Sequence, residues 1–359
     1  MTQNRSFFRW AISNTGSVLG PLLFLLFIND LPDWMKSNIR MFADDTKIWT
    51  RIKSATDMQI LQTDLDSLSL WTNEWLLRFN PPKCKVMHIG HQISSAYTIT
   101  QDNTVWKIQE VQEEKDLGIV TTADLKVSKQ CMEASARANR VLGMVRRQFR
   151  RLDKEGFLII YKGFIRPHLK YAIQAWSPYL KGDVDQLERV QKCATKMVYG
   201  YQKLSYEKRL RRLGLTTLQT RRLRGDLIET YKIITGKENV DPTFFFTLHS
   251  GKYNTRGHPY KLEIKRSRLE LRRNFYSQRV VHHWNHLPEH VVMADTVNSF
   301  KIRLDKEWGT ISSPWTLRPS SNQSTSTSIR GSVIISVRVR KFCANFTSII
   351  LAIDRRSCC

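Results

Sequence analysis

Two adjacent carboxylates, Asp44-Asp45, separate two short runs rich in Ile, Met, Phe, Thr and Trp, Asn38 to Phe42 and Thr46 to Thr50. Each run has the composition of a strand. Joined across so short a break, they predict a hairpin with the Asp pair at its tip, where hard oxygen ligands project from a rigid edge. Magnesium-dependent phosphoryl transfer uses such carboxylates to hold ions against the attacking and leaving oxygens. Taken alone, the pair is equally an ordinary turn, because Asp is a favoured turn residue.

The charge balance narrows the possible partners. The chain has 359 residues with 57 Lys and Arg against 32 Asp and Glu, a net charge of +25 and a sequence pI near 10.0. A surplus spread along the whole length is an electrostatic footprint for phosphate backbones, or a generally adhesive basic surface. Hydrophobic residues make up 41%, enough for a core. Cys84, Cys131, Cys193, Cys343, Cys358 and Cys359 show no CxxC spacing, which argues against a zinc knuckle and a secreted disulfide framework. Arg5 and Arg9 ahead of the apolar run Leu22 to Ile28 imitate a secretory signal, but Gly20-Pro21 interrupts the run. It is also too short to span a bilayer, so a buried helix is expected there and no membrane partner.

Further along, Met58, Leu61, Leu65, Leu68 and Trp75 recur at helical spacing, with Ser54 or Thr56 placed to cap the helix and Pro81-Pro82 to end it. Lys85 to Ile89 reads as a returning strand, and Val105 to Val111 with Leu117 to Val120 as a hairpin. From Ser128 helices dominate. Met132, Ser135, Ala138, Leu142, Val145 and Phe149 share one face, and Arg137, Arg140, Arg146, Arg147, Arg150 and Arg151 decorate the rest. Leu187, Val190, Ala194 and Met197 repeat the pattern, and basic helices recur at Arg209, Arg211, Arg212 and at Arg221, Arg222, Arg224. Guanidiniums outside an apolar face suit phosphate contact, or simply a solvated surface. Trp176, Tyr179, Tyr199 and Tyr201 read as core aromatics or as stacking platforms for bases. His282 and His286 stand four apart, yet Pro288 and the lack of a nearby thiol argue against a metal. Ser312 to Ser328 reads as a linker, and Gly331 to Cys359 alternates apolar and basic residues like a stray strand.

An ordered series of blocks ties these features together. It runs from Gly16-Ser17-Val18-Leu19-Gly20-Pro21 through Phe42-Ala43-Asp44-Asp45, Phe79-Asn80-Pro81-Pro82-Lys83 and Asp116-Leu117-Gly118. It continues with Ala175-Trp176-Ser177-Pro178 and Leu187-Glu188-Arg189-Val190-Gln191, and ends on Trp284-Asn285-His286-Leu287-Pro288 with Asn298-Ser299-Phe300-Lys301. The series resembles the reverse transcriptases of non-LTR, LINE-type retrotransposons, closest to the CR1/jockey-like group. The resemblance implies an α+β fold: a partial palm over 16–127 with a primer-grip-like hairpin, a helical thumb-like region over 128–240 and a basic module over 241–308. Residues 1–15 and the linker and tail over 309–359 remain unmatched.

The same resemblance implies roles. Asp44 and Asp45 would hold Mg2+ and align a primer 3′-hydroxyl with a deoxynucleoside triphosphate on an RNA template. Lys83 would lie near the departing pyrophosphate or simply in solvent. Gly16, Ser17 and Gly20 would let the backbone approach the template–primer, or serve a packing helix, and Arg146, Arg147, Arg150 and Arg151 would grip phosphates. Such polymerases use a third carboxylate on a palm strand upstream of the Gly-Ser block, whereas the first acidic residue here is Asp30. The chain is therefore expected to be the back part of such an enzyme, binding the metal weakly and inactive alone. The alternatives are a non-enzymatic RNA- or DNA-binding protein and a fragment complementing a fuller chain in trans. Residence in the nucleus or cytoplasm follows from the resemblance.

Overall fold

The computed structural model describes residues 19–75, 77–90, 95–249, 257–310 and 332–338. They fold as helices together with largely antiparallel sheets, in two compact units.

The first unit runs to Leu117, with 122–125, and includes the segment around 332–338. The hairpin forms: β1 (Asn38–Phe42) and β2 (Asp45–Arg51) are antiparallel, and their register closes on Phe42↔Asp45. Two residues are left for the turn, Ala43 and Asp44. Helix α1 (Leu19–Ile28) is less buried than expected. Ile28 enters the core and Phe24 packs against it, while Leu22, Leu25 and Leu26 face solvent.

Helix α2 (Ala55–Glu74) starts with a capping box in which Ser54 accepts from the Asp57 N–H and Asp57 accepts from the Ser54 N–H. Its buried seam is Leu61, Leu65, Leu68 and Trp71. Trp71 takes the place expected for Trp75, which caps the C-terminus, so the helix ends ahead of the short 3-10 turn Pro81–Lys83. Asp64 is only 1% exposed, and its carboxylate accepts from the backbone N–H groups of Lys36 and Ser37 at 2.9 and 2.8 Å. That clamp fixes where the chain enters β1.

The main sheet has the order β1-β2-β9-β3-β6, with β3 at Lys85–Ile89, β6 at Gln109–Glu110 and β9 at Ser332–Arg338. The stray strand expected in the tail thus lies inside the sheet, antiparallel to both β2 and β3. Val333, Ile335 and Val337 join Ile48, Val86 and the α2 seam in one core. β4 (Thr98–Gln101) and β5 (Thr104–Lys107) form their own hairpin. The expected pairing of Val105–Val111 with Leu117–Val120 is therefore not made. Asp102 and Asn103, at φ 50° and 58°, tolerate the left-handed turn that captures β5 for β4. β7 (Glu113–Asp116) leads to a second left-handed pair, Leu117 and Gly118 at φ 45° and 85°, and then to β8 (Ile119–Thr122).

The second unit is helical. Helix α3 (Ser128–Gln148) buries Cys131, Ala134, Ala138 and Leu142, so Met132 and Phe149, expected inside, are exposed. It packs with α4 (Lys154–Ile160), α5 (Arg166–Lys170), α6 (Ile173–Trp176) and α7 (Lys181–Thr195), whose Leu187, Val190 and Ala194 are buried as expected. Helices α8 (Tyr206–Leu213) and α9 (Leu218–Ile234) follow. Leu218 belongs to this core, while Leu223, Leu227, Tyr231 and Ile233 belong to the next one. Helix α9 thereby ties residues 128–240 to residues 241–308 in a single unit. The second core holds the short helices α10 (Glu270–Arg273), α11 (Tyr276–Arg279), α12 (Val281–Asn285) and α13 (Glu289–Val292), closed by α14 (Val297–Thr310).

Candidate functional site

Alternation along β2 decides where the acidic turn points. Thr46 and Ile48 are buried beneath α2, so Asp45, Lys47 and Trp49 share the opposite face. Asp44 precedes them in the turn, after Ala43 at φ 52°. A non-glycine residue in that region is uncommon and marks a turn held by its surroundings. Lys47 is paired with Asp116 at 2.7 Å, and the Arg40 guanidinium lies 5.9 Å from the Trp49 ring centroid. The acidic tip therefore stands at the end of a face that also carries cations.

On its other edge β2 meets β9, where Asp45 pairs with Arg338 and Lys47 with Ser336. Strand β3 lies one place further. Lys83, exposed in the turn before β3, is thus two strand spacings from the hairpin, roughly 10 Å across the sheet. Asp44 and Asp45 stand together at the tip, and Lys83 stands two strands away at the same level, since Lys47 and Lys85 share Ser336 as partner. Gly16 and Ser17 lie outside the described residues, and Gly20 falls in the first turn of α1.

Carboxylate oxygens are the donors Mg2+ takes. Two of them stand at the tip, but among the described residues no group of three or more His, Cys, Asp or Glu is placed to hold a metal ion. The donor type fits the ion, which is usually held by one or two carboxylates together with waters and substrate phosphates. The His282 and His286 rings lie 4.3 Å apart and tilted at 30°, with His286 Nδ1 2.7 Å from the His282 carbonyl oxygen.

The basic residues divide. Arg146 and Arg147 end α3, Arg150 and Arg151 follow, and all four are exposed. Arg151 lies over the Tyr199 ring at 5.2 Å, an open cation–aromatic surface. Their place also suits the negative end of the helix dipole. Arg209 and Arg222 are buried, so they cannot line an outer face. Arg222 is 4% exposed, with Glu188 and Asp226 nearby, and burial lowers its pKa. Arg224 donates twice to Asp305, at 2.6 and 2.7 Å.

A second basic locus escaped the sequence reading. Burial lowers the pKa of Lys170 on α5, and so do Arg221, Arg166 and Arg224 around it. Arg221 is lowered by burial and by Arg166 and Arg224. The Arg166 Nε is buried without a hydrogen-bond partner. The signal was available: residues 166 and 170 are four apart and 221 and 224 three apart, so each pair shares a helix face. What sequence could not supply was the meeting of the two helices.

The aromatic residues weighed as stacking platforms also divide. Trp176 is buried and donates to the Tyr171 carbonyl at 2.7 Å, whereas Tyr199 is exposed.

Known proteins match part of the chain. Residues 1–144 match the family model described as reverse transcriptase (RNA-dependent DNA polymerase). The chain is 25% identical over 198 residues to the RNA-directed DNA polymerase from mobile element jockey of Drosophila melanogaster, covering 52% of this chain and 21% of that protein. The jockey polymerase of Drosophila funebris is 27% identical over 186 residues, 45% of this chain and 19% of that protein. Over part of its length the chain is similar to the reverse transcriptases of mobile elements.

Among these reverse transcriptases, the probable RNA-directed DNA polymerase from transposon X-element of Drosophila melanogaster is 23% identical over 194 residues, 52% of this chain and 21% of that protein. The chain spans about a fifth of the length of the curated relatives it matches (21%, 19% and 21%). No solved structure matches. The acidic hairpin and α1 lie inside the family-model match, as does most of α3, whereas the Lys170–Arg221 locus lies beyond it. No helix among the described residues is long and apolar enough to cross a membrane.

Proposed function

We propose that this chain is a partial RNA-directed DNA polymerase of the non-LTR type, which binds template RNA and primer DNA but does not extend the primer by itself. In this reading the first unit is a partial palm carrying Asp44 and Asp45, and the second is a thumb-like nucleic-acid grip. The observation that carries it is the pairing of Asp45 with Arg338: the strand beside the acidic turn supplies no acidic residue at that position.

Asp44 and Asp45 would be the ligands of a magnesium ion, which when bound polarises phosphate oxygens. With two carboxylates at the tip, binding of Mg2+ is weak, and a further carboxylate has to come from another segment, as from a fuller reverse transcriptase in trans. Lys83, two strands away at the level of the tip, would lie near the departing pyrophosphate or simply in solvent. The exposed Arg146, Arg147, Arg150 and Arg151 take phosphates of the duplex, and the Lys170 locus takes a second stretch of backbone. Residence in the nucleus or cytoplasm is where such substrates occur.

Template–primer binding across a salt series tests this reading, together with primer extension by the same chain. Tight, salt-sensitive binding without extension is expected. Absence of binding at low salt would sink it.

A further inference from the structure

The strand that completes the main sheet is supplied from far along the chain. Its two neighbours end at Arg51 and Ile89, whereas β9 begins at Ser332, and the second unit lies between them in sequence. Pairing is nonetheless complete. All seven residues of β2 are matched, from Asp45↔Arg338 to Arg51↔Ser332. All five of β3 are matched, from Lys85↔Ser336 to Ile89↔Ser332.

With β9 absent, β2 and β3 would each present an edge of unpaired N–H and C=O groups, separated by the width of one strand. Both edges call for an antiparallel partner, so only an extended segment satisfies them together. The floor of that slot is apolar. Val333, Ile335 and Val337 are at most 1% exposed and meet Ile48, Val86 and the α2 seam. The sequence Ser332-Val-Ile-Ile-Ser-Val-Arg338 is rich in β-branched residues, as a strand ligand should be.

We propose that the gap between β2 and β3 is a strand-acceptor site, separable from its donor. Its ligand is an extended segment with Val or Ile at alternate positions, and the donor is the chain's own residues 332–338. The tether raises the donor's effective concentration, but the recognition resides in the two ladders and the apolar floor, not in covalent continuity. Because β9 pairs with Asp45, the donor also fixes the acidic turn. The inference stands on topology and packing and does not depend on polymerase function.

The test uses the full chain with a protease site placed between 312 and 325, folded and then cleaved. The cleaved chain is taken through a denaturation–refolding cycle with excess labelled peptide spanning 329–341. Saturable uptake of the peptide is expected, at least tenfold greater than by the uncleaved chain, and a peptide carrying Ile335→Asp should not bind. Equal uptake by cleaved and uncleaved chains, binding of the Ile335→Asp peptide, or no uptake after refolding would overturn the proposal. A second measurement needs no cleavage. Ile335→Asp in the intact chain should lose amide protection in β2 and β3 while the helices of the second unit keep theirs, and unchanged protection would equally overturn it.

Discussion

Asp45 and Arg338 are backbone partners at the end of the β2–β9 ladder, so a segment near the far end of the chain sets the position of the acidic turn. Replacing Asp44 and Asp45 together by Asn removes the charge at the tip and leaves the ladder intact. The variant should fold, because the pairing of Asp45 with Arg338 runs through the backbone. The parent is expected to give a weak manganese-induced relaxation enhancement, and the variant to lose it. Retained enhancement would mean that the ion binds elsewhere.

Asp64 ties α2 to the start of β1 through two backbone N–H groups. Asp64→Ala leaves both donors without a partner in a buried setting. A loss of about 2–3 kcal/mol is expected from denaturant unfolding of the first unit. A change below about 0.5 kcal/mol would show that water replaces the carboxylate freely.

The exposed arginines after α3 make a prediction about salt. Replacing Arg146, Arg147, Arg150 and Arg151 by Ala should reduce the slope of log K against log salt by up to about 3.6 for a duplex, since each phosphate contact contributes roughly 0.9. Weaker binding with an unchanged slope would point to lost structure instead of lost contacts. Adding Lys170→Ala and Arg221→Ala should lower the slope again if the second locus holds backbone as well.

His283 supplies a pH signature. Burial lowers its pKa to about 4, with His282 and His286 adding to the effect. The folded chain therefore favours the neutral ring, while the unfolded chain takes up a proton near pH 6.5. Stability from this group is complete above pH 6.5 and is lost as pH falls toward 4, by at most about 1.4 kcal/mol per pH unit. Thermal midpoints read by helical circular dichroism should fall over that window, and His283→Gln should flatten the dependence.

The acidic hairpin was legible because alternation and turn composition are local. The Ser54 cap and the β3 strand were legible for the same reason. The blocks that carried the resemblance turn out largely to be packing. Trp284 is buried and donates to the Tyr260 carbonyl at 2.7 Å. Asn285 clamps both backbone groups of Leu262 at 2.8 Å, and Phe300 stacks on Tyr231 at 4.4 Å. Glu188 accepts from the Leu218 N–H at 3.0 Å and from Tyr206, inside the helical unit.

What sequence could not disclose was non-local. Nothing in 332–338 says which edges it will join, since any β-branched run fits many ladders. The same limit hid the approach of Lys170 to Arg221. It also misjudged Arg209 and Arg222, whose burial depends on helix packing and not on their own spacing.

The most direct test is primer extension on an RNA template with magnesium and deoxynucleotides, using the folded chain and its Asp44→Asn, Asp45→Asn variant, with template–primer binding measured alongside. Binding by both and extension by neither are expected. Incorporation by the chain that disappears in the variant would contradict it, because a further ligand would then complete the acidic pair within this chain.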